Sequence, residues 1–145
     1  MFEKLFLLVK NNAQEAVINN PVIAEANREA VLNDASSSII EVLKSQMDTG
    51  KIKDLVKYFQ FAGPFDNPLI TRAVNKFANK LNDFYGIDGE TALKTSSALI
   101  PPVMHELIRQ SKSEQNNEFT LSNLLSKLSG NVADMGVLLT QLRIA

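Results

Sequence analysis

The chain has 145 residues, of which 45% are hydrophobic, and 15 basic side chains nearly balance 16 acidic ones. Such a chain is long enough for one globular domain whose core needs neither a metal nor a disulfide. It contains no cysteine, which excludes disulfides, thiolate zinc sites, iron–sulfur clusters and a cysteine nucleophile. Neither half is polarised in charge, so no basic footprint for nucleic acid stands out at this level.

Helical periodicity runs through the whole chain, and no clean alternating run bounded by turn residues predicts a strand. The spacing of apolar residues predicts a first helix over about Phe2 to Ile18. A second, longer helix is predicted from about Ala24 to Asp48, and a third over about Lys51 to Phe61. Gly50 separates these two helices, because glycine favours helix ends over helix interiors.

The next predicted helix has the clearest start and stop signals in the chain. Asn67 is a good N-cap, and Pro68 suits the first helical position, where its missing N–H costs nothing. Gly86 can adopt the left-handed conformation that closes a helix. The apolar stripe between these ends consists of Ile70, Ala73, Val74, Phe77, Ala78, Leu81 and Phe84.

A further helix is predicted after Asp88, which can cap its N-terminus, and it contains the stretch "TSSALIPPVMHEL". Its apolar stripe continues across Pro101 and Pro102, which indicates one helix bent at the prolines rather than two unrelated segments. Beyond a polar loop, Thr120 can cap a short leucine-rich helix that Gly130 ends.

The two halves of the sequence resemble each other. "ASSSIIEVL" from Ala35 matches "TSSALIPPV" from Thr95, and "KIKDLVKYF" from Lys51 matches "TLSNLLSKL" from Thr120. A polar loop after Ser111 accounts for the larger offset of the second match. The repeat predicts two helical modules of similar construction.

We therefore predict a compact all-α domain covering 1–145, with about six to seven helices. It would comprise two tandem three-helix modules and a C-terminal helix. The predicted parts are module one at about 1–61, an aromatic linker at 62–67, module two at about 68–130 and the last helix at about 132–143.

No catalytic or metal-binding constellation appears in the sequence. His105 is the only histidine, and a metal site or catalytic triad needs it to have partners. Ser97 lies eight positions earlier, about 12 Å away on a straight helix, which is too far for a base to reach its hydroxyl. The sequence also has no glycine-rich phosphate-binding loop. We expect no enzyme activity, cofactor or metal.

Two serine clusters are predicted to pack helices rather than to carry chemistry. Ser36–Ser38 and Ser96–Ser97 hold small side chains that allow helices to approach closely. Their hydroxyl groups can donate to carbonyls one turn earlier.

Two surfaces could bind a partner. Phe59, Phe61 and Phe65 lie between the modules, either as a linker buried in a groove or as an exposed apolar patch for a partner. Lysines around the third predicted helix could instead contact nucleic acid, although Asp48 and Asp54 interleave with them and no arginine is present there. These lysines are Lys44, Lys51, Lys53 and Lys57.

The chain resembles the YidB-like bacterial proteins, a family of unknown function. The matching stretches are "FEKLFLLVKNNAQEAVINNPVI", "ASSSIIEVLKSQ" followed by Gly50, "DNPLI" and "SSALIPPVMHEL". The resemblance implies a small all-helical cytoplasmic protein, with a homeodomain-like arrangement as one option, and it supplies no catalytic residues. The chain departs from the family pattern in its few glycines and in Pro102.

The sequence predicts a non-enzymatic cytoplasmic interaction or scaffold protein that binds an unknown protein partner or itself. Nucleic-acid binding through the lysines is the alternative. No segment approaches the length of apolar sequence that a membrane span needs.

Overall fold

The computed structural model describes residues 2–48, 57–58 and 67–111. Within these residues the regular structure is entirely helical, with no strand. Lys57 and Tyr58 are helical but make up only part of the predicted third helix. The α-helices with complete bounds are α1 (Phe2–Asn11), α2 (Arg28–Asp48), α3 (Pro68–Tyr85) and α4 (Gly89–Ser111).

The first two predicted helices begin or end differently from the expectation. Helix α1 stops at Asn11, and a separate π-helical turn covers Gln14–Ile18. The Asn12 side chain donates to the carbonyl oxygen of Leu8 at 2.9 Å, which satisfies a carbonyl near the helix end. A 3-10 turn at Glu25–Asn27 precedes α2. The segment whose apolar spacing predicts one helix thus forms an α-helix followed by a separate π-helical turn.

Helix α3 has the predicted ends. Asn67 Oδ1 accepts a hydrogen bond from the backbone N–H of Leu69 at 3.0 Å, and Pro68 occupies the first turn. Gly86 closes the helix with φ 65°, and its N–H donates to the carbonyl of Asn82 at 3.1 Å. A residue with a Cβ is disfavoured in this left-handed conformation, so glycine suits this position.

Helix α4 continues without interruption across Pro101 and Pro102. Asp88 Oδ1 accepts from the backbone N–H of Thr91 at 3.0 Å, which confirms the predicted cap. The two prolines cannot donate to the carbonyls of Ser97 and Ala98. Both of those residues are exposed, so water can reach the freed carbonyls.

All four helices contribute to one hydrophobic core. Polar bonds also join the elements, as Ser96 Oγ on α4 donates to the Val74 carbonyl on α3 at 2.6 Å. Asn20 Nδ2 donates to Thr95 Oγ1 at 3.2 Å and fastens the segment after the π-helical turn to α4. The largest fully buried side chains are Phe77, Leu5, Ile39, Leu43, Leu69, Leu81, Leu99, Ile100, Met104 and Leu107.

Candidate partner-binding cleft

A cleft of about 360 Å³ opens between the N-terminal parts of α1 and α2. We call it the α1–α2 cleft. Its apolar surface comes from Phe6 and Leu7, and its polar groups come from two carboxylates and one amide. The lining residues are Glu3, Phe6, Leu7, Glu29 and Asn33.

The cleft follows from an apolar run that is too long for one helix face. Five consecutive apolar residues occupy positions 5–9 of α1. Leu5 and Val9, four residues apart, point into the core and are 2% and 0% exposed. Leu7 lies between them on the helix surface and is 51% exposed. Since successive side chains on a helix point about 100° apart, the helix cannot bury the entire run.

The two carboxylates of the cleft are available to a partner. Glu3 lies in the first turn of α1, and Glu29 lies in the first turn of α2. Acidic groups are favoured there because the exposed backbone N–H groups give a helix N-terminus partial positive charge. Both side chains are exposed, and neither has an ion pair or hydrogen bond with another described residue.

A row of basic residues on α3 faces α2. The sequence analysis did not predict it. Lys80 Nζ donates to Glu41 Oε1 at 3.1 Å and to Ser37 Oγ at 3.0 Å. Lys76 forms a second ion pair with Glu41, at 3.4 Å. Arg72 Nη1 donates to Gln46 Oε1 at 2.7 Å. The signal in the sequence is the four-residue spacing of these cations, which places them on one face.

Glu41 reduces the positive charge of this row. Burial raises the pKa of Glu41, but hydrogen bonds and positive charge from Lys80 and then Lys76 outweigh it and hold the pKa below its ordinary value. The carboxylate is therefore ionised at neutral pH and shared by two lysines. This arrangement ties α3 to α2 and leaves less charge for a phosphate backbone.

The sequence-predicted nucleic-acid contacts are only partly described. Lys44 on α2 and Lys57 are exposed. Lys51 and Lys53 lie outside the described residues, so the contact surface formed by the four lysines stays a prediction. The predicted aromatic surface of Phe59, Phe61 and Phe65 also lies outside the described residues.

The residues considered for catalysis are located on the surface of α4. His105 and Ser97 are both exposed. In the described part of the chain, no group of three or more histidine, aspartate or glutamate residues is placed to hold a metal ion. These positions therefore offer no enclosed site for chemistry.

The serine clusters take part in helix packing in two ways. Ser36 Oγ donates to the Leu32 carbonyl at 2.9 Å, and Ser38 Oγ donates to the Asp34 carbonyl at 2.6 Å, each one turn back along α2. Ser96 instead reaches across to Val74 on the neighbouring helix. The predicted back-bonding thus occurs in the first cluster, whereas the second cluster contains a bond between helices.

Tyr85 and Asp34 form a hydrogen bond that also links α3 to α2. The phenol donates to Asp34 Oδ2 at 2.5 Å. Burial raises the pKa of the Tyr85 phenol, and the hydrogen bond and negative charge of Asp34 raise it further. The bond requires the protonated phenol, so we interpret this pair as a structural link rather than a source of a phenolate.

The variant Tyr85→Phe tests this link through its pH dependence. Because the folded-state pKa is raised, the stabilisation from Tyr85 is fully present below the unfolded tyrosine pKa of about 10 and is lost as pH rises above it. The wild-type free energy of unfolding should therefore fall more steeply with alkaline pH than that of Tyr85→Phe. Urea unfolding at a series of pH values measures this difference. Identical slopes for wild type and Tyr85→Phe would contradict the assignment.

The comparisons with known proteins identify no family for this chain. No protein-family model matches it, and no curated protein or solved structure matches it at a significant level. None of the helices in the described ranges is long and apolar enough to span a membrane.

Proposed function

We propose that the protein is a non-enzymatic interaction protein that binds a segment of a partner in the α1–α2 cleft. The observation that carries the proposal is the exposure of Leu7 beside Phe6 in a cleft of about 360 Å³. Single exposed apolar side chains are common on protein surfaces and need no explanation. An exposed leucine that lines a concave apolar surface is instead typical of a binding site.

The chemistry of the cleft favours binding over catalysis and over nucleic-acid contact. Its lining combines apolar side chains, carboxylates and an amide, without a nucleophile beside a base. Glu3 and Glu29 would repel a phosphate backbone. Glu41 on α2 neutralises part of the basic row on α3, which could otherwise attract a phosphate backbone.

For the architecture, we propose the two tandem three-helix modules, with six to seven helices in total and a homeodomain-like arrangement as one form. The burial pattern supports an internal repeat, because positions sixty residues apart in α2 and α4 are buried in both helices. These pairs are Leu32 and Ala92, Ala35 and Thr95, Ser36 and Ser96, Ile39 and Leu99, Leu43 and Val103, and Met47 and Leu107.

We also propose membership of the YidB-like bacterial family and a cytoplasmic location. The support is the resemblance of the stretches "ASSSIIEVLKSQ" and "SSALIPPVMHEL", together with the all-helical character of the described residues. Both stretches lie in long packing helices, α2 and α4, so this resemblance concerns the core rather than the cleft.

Site-specific photo-cross-linking in cells tests the proposed function. A photoreactive amino acid at exposed position Asn33, inside the cleft, should form a discrete adduct with a partner. Adding Leu7→Ser should remove the adduct, because the apolar contact is lost while the fold keeps its core residues. The matched change Leu93→Ser removes a leucine of similar exposure, 46% against 51%, from α4 and should leave the adduct intact.

Two results would contradict the proposed function. One is the absence of a discrete adduct from position 33. The other is an adduct that Leu7→Ser and Leu93→Ser reduce equally, since that would place the contact outside the cleft. Thermal unfolding of both serine variants should show that each remains folded, because substitutions of exposed residues usually change stability by less than about 0.5 kcal/mol.

A further inference from the structure

We infer that the occupant of the α1–α2 cleft is a cationic amphipathic helix of a partner protein. This inference rests on the proposed function and adds the chemistry of the partner.

The charges of the cleft select a basic partner. Glu3 on α1 and Glu29 on α2 both line the cleft, and neither forms an ion pair with another described residue. A lysine or arginine placed between them would form charge-assisted hydrogen bonds, which are stronger than bonds between neutral groups. An acidic segment would meet like charges on both walls and be disfavoured.

The basic residues of α1 set an orientation for the partner. Lys10 is exposed and lies one turn beyond Leu7, on the side of α1 that carries Glu3 and Leu7. Lys4 is also exposed, but its side chain points about 100° around the helix from Glu3 and does not line the cleft. The positive end of the partner should therefore lie toward Glu3 and Glu29, with apolar or acidic residues toward Lys10.

The volume of the cleft suits apolar side chains from one helix face. About 360 Å³ is near the lower end of the range for ligand-binding pockets, about 300–1,000 Å³. Such a space accepts one or two apolar side chains, which would pack against Phe6 and Leu7. The Asn33 amide, also in the lining, can donate to or accept from a polar group at the edge.

The secondary structure around the cleft favours a helix as the occupant. Strand addition requires an exposed sheet edge, and the described residues contain no strand. A groove between two helices is the usual receptor for an amphipathic helix whose apolar residues recur at three- and four-residue spacing. The carboxylates also argue against an anionic membrane surface, which attracts basic segments.

Two synthetic peptides of about 18 residues, long enough to form a helix on binding, test this inference. Both carry leucines at helical spacing, and their remaining positions are lysine in one and glutamate in the other. Fluorescence anisotropy measures affinity, and methyl NMR compares the signals of Leu7 and Leu93. We expect the lysine peptide to shift the Leu7 methyl signals selectively and to bind at least about tenfold more tightly than the glutamate peptide.

Isosteric variants separate the charge contribution from packing. Glu3→Gln combined with Glu29→Gln should weaken binding of the lysine peptide about fivefold and flatten its dependence on salt, because the removed carboxylates supply the attraction. Glu90→Gln, which removes one exposed carboxylate in the first turn of α4, should leave affinity and the Leu7 shifts unchanged.

Several outcomes would overturn the inference. Equal affinity of the two peptides, with selective shifts at Leu7, would remove the preference for a basic partner while leaving the cleft as a binding site. Equal shifts at Leu7 and Leu93, or no shifts, would remove the helix assignment. Selective shifts of Leu7 with anionic lipid vesicles would assign the surface to a membrane instead. The cross-linking from position 33 in cells reports on the proposed function independently of these peptides.

Discussion

Replacing Phe77 with alanine should lower the free energy of unfolding by about 3–5 kcal/mol, the usual cost of removing a fully buried phenylalanine. Phe77 is 0% exposed and lies in the middle of α3, within the core shared by all four helices. The substitution removes apolar contact area and leaves a cavity that the surrounding helices fill only partly. Small domains have total stabilities of about 5–15 kcal/mol, so this loss would be a large fraction of the whole.

Phe84→Ala is the matched control, because the same substitution is made in the same helix. Phe84 is 65% exposed, and its ring meets the Tyr85 ring edge-on with centroids 6.4 Å apart. Losing this aromatic contact should cost less than about 1.5 kcal/mol. Urea unfolding monitored by circular dichroism gives both free energies. Similar losses for the two variants would show that the assignment of inward and outward faces of α3 is wrong.

The second large effect is expected at Ser96, where leucine should destabilise the protein by about 2–4 kcal/mol. Ser96 is fully buried between α4 and α3, and its hydroxyl donates to the Val74 carbonyl. A leucine would lose that bond, worth about 1 kcal/mol, and would also force the two helices apart, since overpacking a core typically costs about 1–3 kcal/mol.

Ser97→Leu is the control one position away on the same helix. Ser97 is exposed, and leucine has a higher helix propensity than serine. This variant should therefore change stability by less than about 0.5 kcal/mol. The same urea titrations distinguish the two, and a Ser97→Leu loss as large as that of Ser96→Leu would contradict close approach of α3 and α4 at Ser96.

Some features of the candidate site could be anticipated from the sequence, and others could not. The run of apolar residues from Leu5 to Val9 is evident in the sequence. Helical periodicity alone does not determine which of these residues face the core. That choice depends on where α2 lies, and it leaves Leu7 outside. Glu29 lines the same cleft from a second helix. The apolar surface and the two carboxylates therefore lie together only because α1 packs against α2.

The hydrogen bonds and ion pairs between helices also could not be predicted from the sequence. Tyr85 and Asp34 are 51 positions apart, and Lys80 and Glu41 are 39 apart. The spacing of Arg72, Lys76 and Lys80 indicates a shared helix face, but not that α2 supplies Glu41 opposite two of them. The sequence shows which charged residues share one helix face, but it does not show which helix faces contact each other.

By itself the sequence determined the helical class, the continuous helix through Pro101 and Pro102, and the ends of α3 at Asn67 and Gly86. These features depend on hydrogen bonds and backbone preferences within about four residues, so the neighbouring residues in the sequence are enough to predict them. Only the tertiary structure decided that Leu7 would line a cleft with Glu3 and Glu29. The burial of a side chain depends on surfaces contributed by distant segments, whose relative positions follow from packing of the whole core.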